Sequence, residues 1–186
     1  MNHQSDPDQQ RRDRFGTLFA EVYEPVQRYV RRRVEATAVD DVVSDTMLTL
    51  WRRLDEVPVE AHLPWSYGVA RRNIANWRRS NMRRVRLLRR VAAEPRHPET
   101  SGHPLDAELE IALTMLDGAD RELIELWAWE QLEPAEIALV LGVSPNAASV
   151  RLHRAKKRLA GNLEIAGKTG GSSGHSHGVQ SKEDSS

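Results

Sequence analysis

The sequence predicts an all-α chain folded as two small helical domains joined by a flexible linker, and three observations carry that prediction. Apolar residues recur at three- and four-residue spacing through most of 15–88 and 105–163, the period of an amphipathic helix. No segment reads as a strand, and no internal repeat is present. Between the periodic stretches, residues 93–104 hold three prolines, a glycine and two histidines with little apolar content, which reads as a linker. The expected plan is a disordered N-terminus (1–12), a first domain (13–92), the linker (93–104), a second domain (105–165) and a disordered Gly/Ser/His tail (166–186).

The first helix is read from Phe15, Leu18, Phe19, Val22, Tyr23, Val26, Tyr29, Val30 and Val34, which share a stripe. Pro25 inside it is expected to kink or divide the helix, because proline lacks an N–H and its ring clashes with the preceding turn. A second helix is expected from about 37–40 to Leu54 on Val42, Val43, Met47, Leu50, Trp51 and Leu54. Asp40 and Asp41 at its start and Arg52 and Arg53 at its end suit the helix dipole. Residues 55–64 read as a loop punctuated by Pro58 and Pro64. A third helix runs from Trp65 into an arginine-rich stretch near Leu88.

The second domain is read as four helices, over 105–116, 120–130, 134–141 and 144–163. Its last two form a helix-turn-helix. Ile137, Ala138, Leu141 and Val143 supply an inward face, and Ala138 is small enough for two helices to cross closely. Gly142 suits a left-handed turn position, and Ser144 followed by Pro145 is a helix start signal. Ala148, Leu152, Ala155 and Leu159 form the buried stripe of the last helix. The opposite face presents Asn146, Val150, His153 and Lys157, flanked by Ser149 and Arg154, the layout of a helix that enters the major groove of DNA.

Lysine plus arginine and aspartate plus glutamate number 27 each, yet the charges are segregated. Residues 71–90 hold nine arginines and no acid, 94–136 hold twelve acids against two arginines, and 151–158 hold five cations and no acid. An arginine run without counter-charge repels itself unless a polyanion is near. The acidic stretch is expected either to fold against basic surfaces of the free protein and mask them, or to favour the binding of a regulator. With no cysteine, disulfides and cysteine-based zinc sites are excluded. His175 and His177 in the tail are too few for a metal site. No nucleotide loop or nucleophile constellation is present, so neither enzyme nor cofactor is expected. The polar first residues and the lack of a long apolar run point to a cytoplasmic protein without a membrane span.

Three segments together resemble a known family. DDVVSDTMLTLWRRL (40–54) is similar to the region 2 helix of the extracytoplasmic-function (ECF) sigma factors, bacterial transcription-initiation factors of the sigma-70 family. PWSYGVARRNIANWRRSNMRR (64–84) resembles the segment that follows it, and 116–159 resembles region 4. The chain departs from the usual pattern at Ser44, Asp45, Arg72, Asn76, Pro134, Ala147, Ala148 and Ser149.

The resemblance implies a partner, core RNA polymerase, held at its β′ clamp and β flap, and a ligand, promoter DNA; the family commonly has anti-sigma factors as well. It implies that Asp41, Asp45, Thr49, Arg52 and Arg53 face the clamp. It implies that the −10 element is captured and melted by Glu60 and His62 of the 55–64 loop with Arg71, Asn73, Asn76, Trp77, Arg79, Ser80, Arg83 and Arg84. The −35 element falls to Ser144, Asn146, Ser149, Val150, Arg151, His153, Arg154 and Lys157. Trp77 is as well suited to the core as to stacking on a base. Trp51, Trp65, Trp127 and Trp129 read as core, except that the neighbours Trp127 and Trp129 must face differently, which leaves one of them for an interface. Two rival readings remain at this point: a dimeric repressor or activator using the same helix-turn-helix, and a helical partner-binding protein with no DNA role.

Overall fold

A computed structural model describes residues 6–88 and 107–170. Among them every regular element is helical: α1 (Pro7–Arg31), α2 (Val39–Arg52), α3 (His62–Leu88), α4 (Ala107–Thr114), α5 (Gly118–Ala128), α6 (Pro134–Leu141) and α7 (Pro145–Gly170). Single 3-10 turns sit at Ala36–Ala38, Leu54–Glu56 and Val59–Ala61. The linker expected at 93–104 lies outside the described residues, as does most of the tail.

α1 begins earlier than its apolar stripe suggests. Residues 7–12, expected to be disordered, form its first turns, capped by the Asp6 carboxylate at 3.2 Å from the Asp8 amide. Long-range contacts hold them. Arg11 donates to the Asp55 carboxylate and to the Trp51 carbonyl, both at 2.8 Å, and Arg14 donates to the Leu54 carbonyl at 2.9 Å. The helix also continues through Pro25 rather than dividing there. Val22, Val26, Tyr29 and Val30 on either side of the proline are fully buried against α2 and α3, and that burial outweighs one missing backbone hydrogen bond.

The expected 55–64 loop is in fact mostly 3-10 turns, and α3 starts at His62. Pro64 falls in its first turn, where the missing N–H has no intrahelical partner to lose. In the second domain Asp117 caps α5 by accepting from the Asp120 amide at 2.8 Å. α7 runs on to Gly170, five residues into the stretch read as tail. There α4 packs along it and the Asn162 amide donates to the Ala112 carbonyl at 3.1 Å.

The two domains do not stand apart. One apolar core continues from Leu18 and Val22 of α1 through Ile74 of α3 to Ile137, Val140 and Leu152 of the second domain. α3 lies directly on α6. At their crossing a Cβ built on Gly68 would stand 3.6 Å from the backbone of Val140, so the absence of a side chain at Gly68 lets the two helices approach.

Candidate nucleic-acid interface

The helix-turn-helix is built as its sequence requires. A reciprocal capping box between Glu133 and Glu136 starts α6, and Gly142 ends it in the left-handed conformation (φ 68°). The Val143 amide closes the turn onto the Ala138 carbonyl at 3.0 Å. The Ser144 hydroxyl then accepts from the Ala147 amide at 3.2 Å, capping α7 just before Pro145. Ala138, Ala148, Leu152 and Ala155 are buried where α6 and α7 cross.

The other side of α7 is open. Ser144, Asn146, Ser149, Val150, Arg151, His153, Arg154 and Lys157 are all exposed, as the sequence reading placed them. Among the described residues none of Arg151, Arg154 and Lys157 has an ion-pair partner. Arg158 differs, since it turns back and pairs with the buried Asp120 carboxylate.

α3 carries the second cationic face. Asn73, Asn76, Trp77, Ser80 and Arg83 line a groove of about 550 Å³, whose other wall is Asp41, Ser44 and Asp45 of α2. Trp77 is half-buried, with its ring packed against the core, so it serves as wall and core at once. The Asn73 amide donates to the buried Thr46 hydroxyl at 3.2 Å, which orients it. Arg79 donates to the Asn76 side-chain oxygen. Arg72, Arg79 and Arg83 are exposed, with no carboxylate in ion-pair range among the described residues. Arg84 lies on the last turns of α3, and its side chain is outside the described ones.

The remaining predicted residues fall in two groups. Asp41, Asp45 and Arg52 are exposed on α2, whereas Thr49 is half-buried with its hydroxyl turned to the Asp45 carbonyl at 2.8 Å. Arg53 is occupied: it forks onto Glu56 and lies over the Trp65 ring. Glu60 is exposed on the 3-10 turn. His62 is held between the Val59 carbonyl at 2.9 Å and the Glu21 carboxylate at 3.0 Å. Trp65 is half-buried against the core, Trp51 and Trp129 are half-buried, and Trp127 is exposed beneath the Lys156 ammonium, 3.4 Å from its ring centre.

Among the predicted −10 residues whose side chains are described, Arg71 forms an ion pair between the domains. Its guanidinium forks onto Glu122 of α5, with Nε donating to Oε1 at 2.7 Å and Nη2 to Oε2 at 3.0 Å. Nearby, the buried Arg33 lies between Glu125 and Glu130, each at 3.2 Å, and Arg32 reaches Glu130 at 2.7 Å. Tyr29 sits under this network with no protein partner for its hydroxyl among the described residues. Burial pushes its pKa up to about 12, against the opposing Arg33 guanidinium. The acidic segment thus meets basic surface of the free protein, as expected of a mask, but only in part. Its carboxylates pair with Arg32, Arg33, Arg71 and Arg158, and leave Arg72, Arg79, Arg83 and the outer face of α7 open.

Residues 18–84 match the model for sigma-70 region 2, and residues 107–159 the model for sigma-70 region 4. The chain is 31% identical over 159 residues to the RNA polymerase sigma factor NccH of Alcaligenes xylosoxydans xylosoxydans, covering 75% of this chain and 84% of the relative. The chain belongs to the ECF subfamily of the sigma-70 sigma factors. The ECF RNA polymerase sigma factor SigF of Caulobacter vibrioides is 30% identical over 149 residues, 76% of this chain and 80% of that one. Among solved structures, CnrH in complex with the cytosolic domain of CnrY is 27% identical, with a TM-score of 0.54 over 81% of this chain and 88% of that one. RpoE in complex with the anti-sigma factor NepR from Bartonella quintana shares the fold at 23% identity, with a TM-score of 0.60 over 81% and 97%. This sigma factor is therefore a specificity subunit for promoter-directed transcription rather than a known enzyme. Its first domain is region 2 and its second is region 4.

Proposed function

We propose that this sigma factor divides promoter recognition between two exposed faces. The α3 groove of region 2 takes the −10 element as single strand, and the outer face of α7 enters the −35 major groove. The observation that carries this reading is the pair of open cationic faces, α3 and the first half of α7, on a chain whose total charge is zero. Phosphate attraction supplies affinity to both. Asn73, Asn76 and Trp77 offer hydrogen bonds and stacking to unpaired bases, and Asn146, Val150 and His153 offer contacts to base edges in duplex.

Each good base contact contributes about 1–3 kcal/mol, so one short recognition helix binds weakly alone. Core polymerase, holding region 2 through the exposed Asp41, Asp45 and Arg52 at the β′ clamp and region 4 at the β flap, raises the effective concentration of each domain at its element. The chain acts on DNA in the cell interior, and no described helix is long and apolar enough to cross a membrane. An anti-sigma partner is part of this reading, supported by the capture of the 27% identical CnrH in a complex with the cytosolic domain of CnrY. Run-off transcription with purified core polymerase on a genomic promoter library tests it. Addition of the chain is expected to produce discrete new transcripts, and absence of any stimulation would sink the reading.

A further inference from the structure

Two side-chain amides line the α2–α3 groove, Asn73 at its half-buried depth and Asn76 at its exposed rim. An amide has a donating end and an accepting end, and here the neighbours decide which end each one keeps free. The Thr46 hydroxyl has a single proton, which goes to the Val42 carbonyl at 2.7 Å, a group that only accepts. The hydroxyl oxygen is then left as an acceptor, so Asn73 must turn its NH2 toward Thr46, at 3.2 Å. Its Oδ1 remains for the groove, and among the described residues no donor meets it. At the rim the Arg79 guanidinium has donors and no acceptor, so it takes the Asn76 oxygen and leaves the Asn76 NH2 free. Residues three apart are neighbours on a helix surface, so the groove shows an acceptor at depth beside a donor at the rim.

The charges fix how a strand lies on this pair. Arg79 and Arg83 are exposed along α3, while Asp41 and Asp45 form the opposite wall. Phosphates are drawn to the arginines and repelled by the carboxylates, so the bases swing inward from the α3 rim. In a pyrimidine the 4-position lies opposite the bond to the sugar and enters first; in a purine the 6-position takes that place. Cytosine and adenine carry an amine there, with a ring nitrogen acceptor beside it. Thymine and guanine carry a carbonyl there, with an N–H beside it.

We propose that this groove selects an unpaired base with an amine at the leading position, cytosine or adenine, and that Thr46 sets the preference by holding Asn73 in one orientation. The inference rests on the reading of the α3 groove as the −10 single-strand site. The amine donates to Asn73 Oδ1, and the ring nitrogen accepts from Asn76 Nδ2. A thymine or guanine in the same pose brings a carbonyl onto the Asn73 oxygen and an N–H onto the Asn76 NH2, so both contacts turn repulsive and both amides lose their partners. Thr46 is fully buried and acts only through Asn73, as a positioning residue.

The probes are fluorescent 20-nucleotide strands of deoxycytidine and of deoxyuridine, titrated with the full-length chain at low salt and pH 8. The two bases have the same size and differ only along the edge that the amides read. The parent is expected to bind the deoxycytidine strand about five-fold more tightly or better, the lower end of what one good base contact discriminates. Thr46→Val keeps the volume and every charge but gives Asn73 nothing to donate to, so the ratio is expected to fall to near one. Thr46→Ser keeps the hydroxyl and is expected to keep the ratio. Asn73→Ala removes the acceptor itself and is expected to lose the preference by a second route, with circular dichroism checking that each variant is folded. Equal affinity of the parent for the two strands, or a preference that survives in Asn73→Ala, would overturn the inference and leave the single-strand reading standing. A preference lost in Asn73→Ala but kept in Thr46→Val would overturn the role of Thr46. Binding of neither strand by the parent would overturn the single-strand reading and the inference with it.

Discussion

Arg71 shows how much a single side chain can mislead when only its neighbours in sequence are known. It opens the run of nine arginines at 71–90 and shares their composition, but its guanidinium is held by a carboxylate 51 residues away. Local pattern cannot reveal that pairing, because it depends on how α5 crosses α3. The same holds for Arg33, Glu125 and Glu130, which the sequence reading did not single out. Their only trace was the excess of acid at 94–136 over its own cations. Tyr29 supports a prediction at this scale. Its buried hydroxyl lacks a protein partner, and such a group costs roughly 1–3 kcal/mol. Tyr29→Phe is expected to stabilise the folded molecule by about 1 kcal/mol, read as a higher urea midpoint; a lower midpoint would show that the hydroxyl contributes favourably. Val150 supports another. It is a 41% exposed apolar side chain among polar ones on α7, suited to contact with a thymine methyl. Val150→Ala is expected to weaken −35 duplex binding by the holoenzyme several-fold while leaving binding to premelted −10 DNA unchanged.

At the scale of elements, the helices with strong local signals were legible and their ends were not. The α6–α7 turn carried a glycine, a capping serine and an N1 proline in order, and the structure follows each of them. Replacing Ser144 by alanine is expected to cost about 1 kcal/mol of region 4 stability, and replacing Gly142 a similar amount, because φ is positive there. Thermal melts of the full chain would show whether both losses occur. The early start of α1 and the late end of α7 escaped the sequence reading because tertiary contacts, not helix signals, set them: Arg11 and Arg14 on one, Asn162 and α4 on the other. Pro25 was overridden by packing for the same reason. The α2–α3 groove lay between these cases. Helical spacing placed Asn73, Asn76, Trp77 and Ser80 near one face, but the meeting of that face with Asp41 and Asp45 required the helix pairing.

For the whole molecule, fold class, the order of regions and the exposed face of α7 followed from periodicity and motif. The packing of the two domains did not, since a linker read from composition says nothing about where its ends dock. That packing has a pH signature. The folded pKa of Tyr29 and of Tyr67 is raised to about 12 from 10, by burial foremost. Stability from these neutral phenols is therefore intact below about pH 10, where they are protonated in both states, and is lost as pH rises from 10 toward 12. Tyrosinate absorbance is expected to appear in two stages, with domain separation accompanying the second.

The central claim is that region 2 opens the promoter while region 4 sets where polymerase sits. Transcription by the reconstituted holoenzyme from one promoter, as intact duplex and with its −10 segment premelted, tests that division most directly. Neutralising Arg79 and Arg83 is expected to abolish transcripts from the duplex and restore much of them on the premelted template. Replacing Asn146, Val150 and His153 by alanine is expected to reduce both alike. Equal loss on both templates for the α3 variant, or rescue of the α7 variant by premelting, would contradict the account.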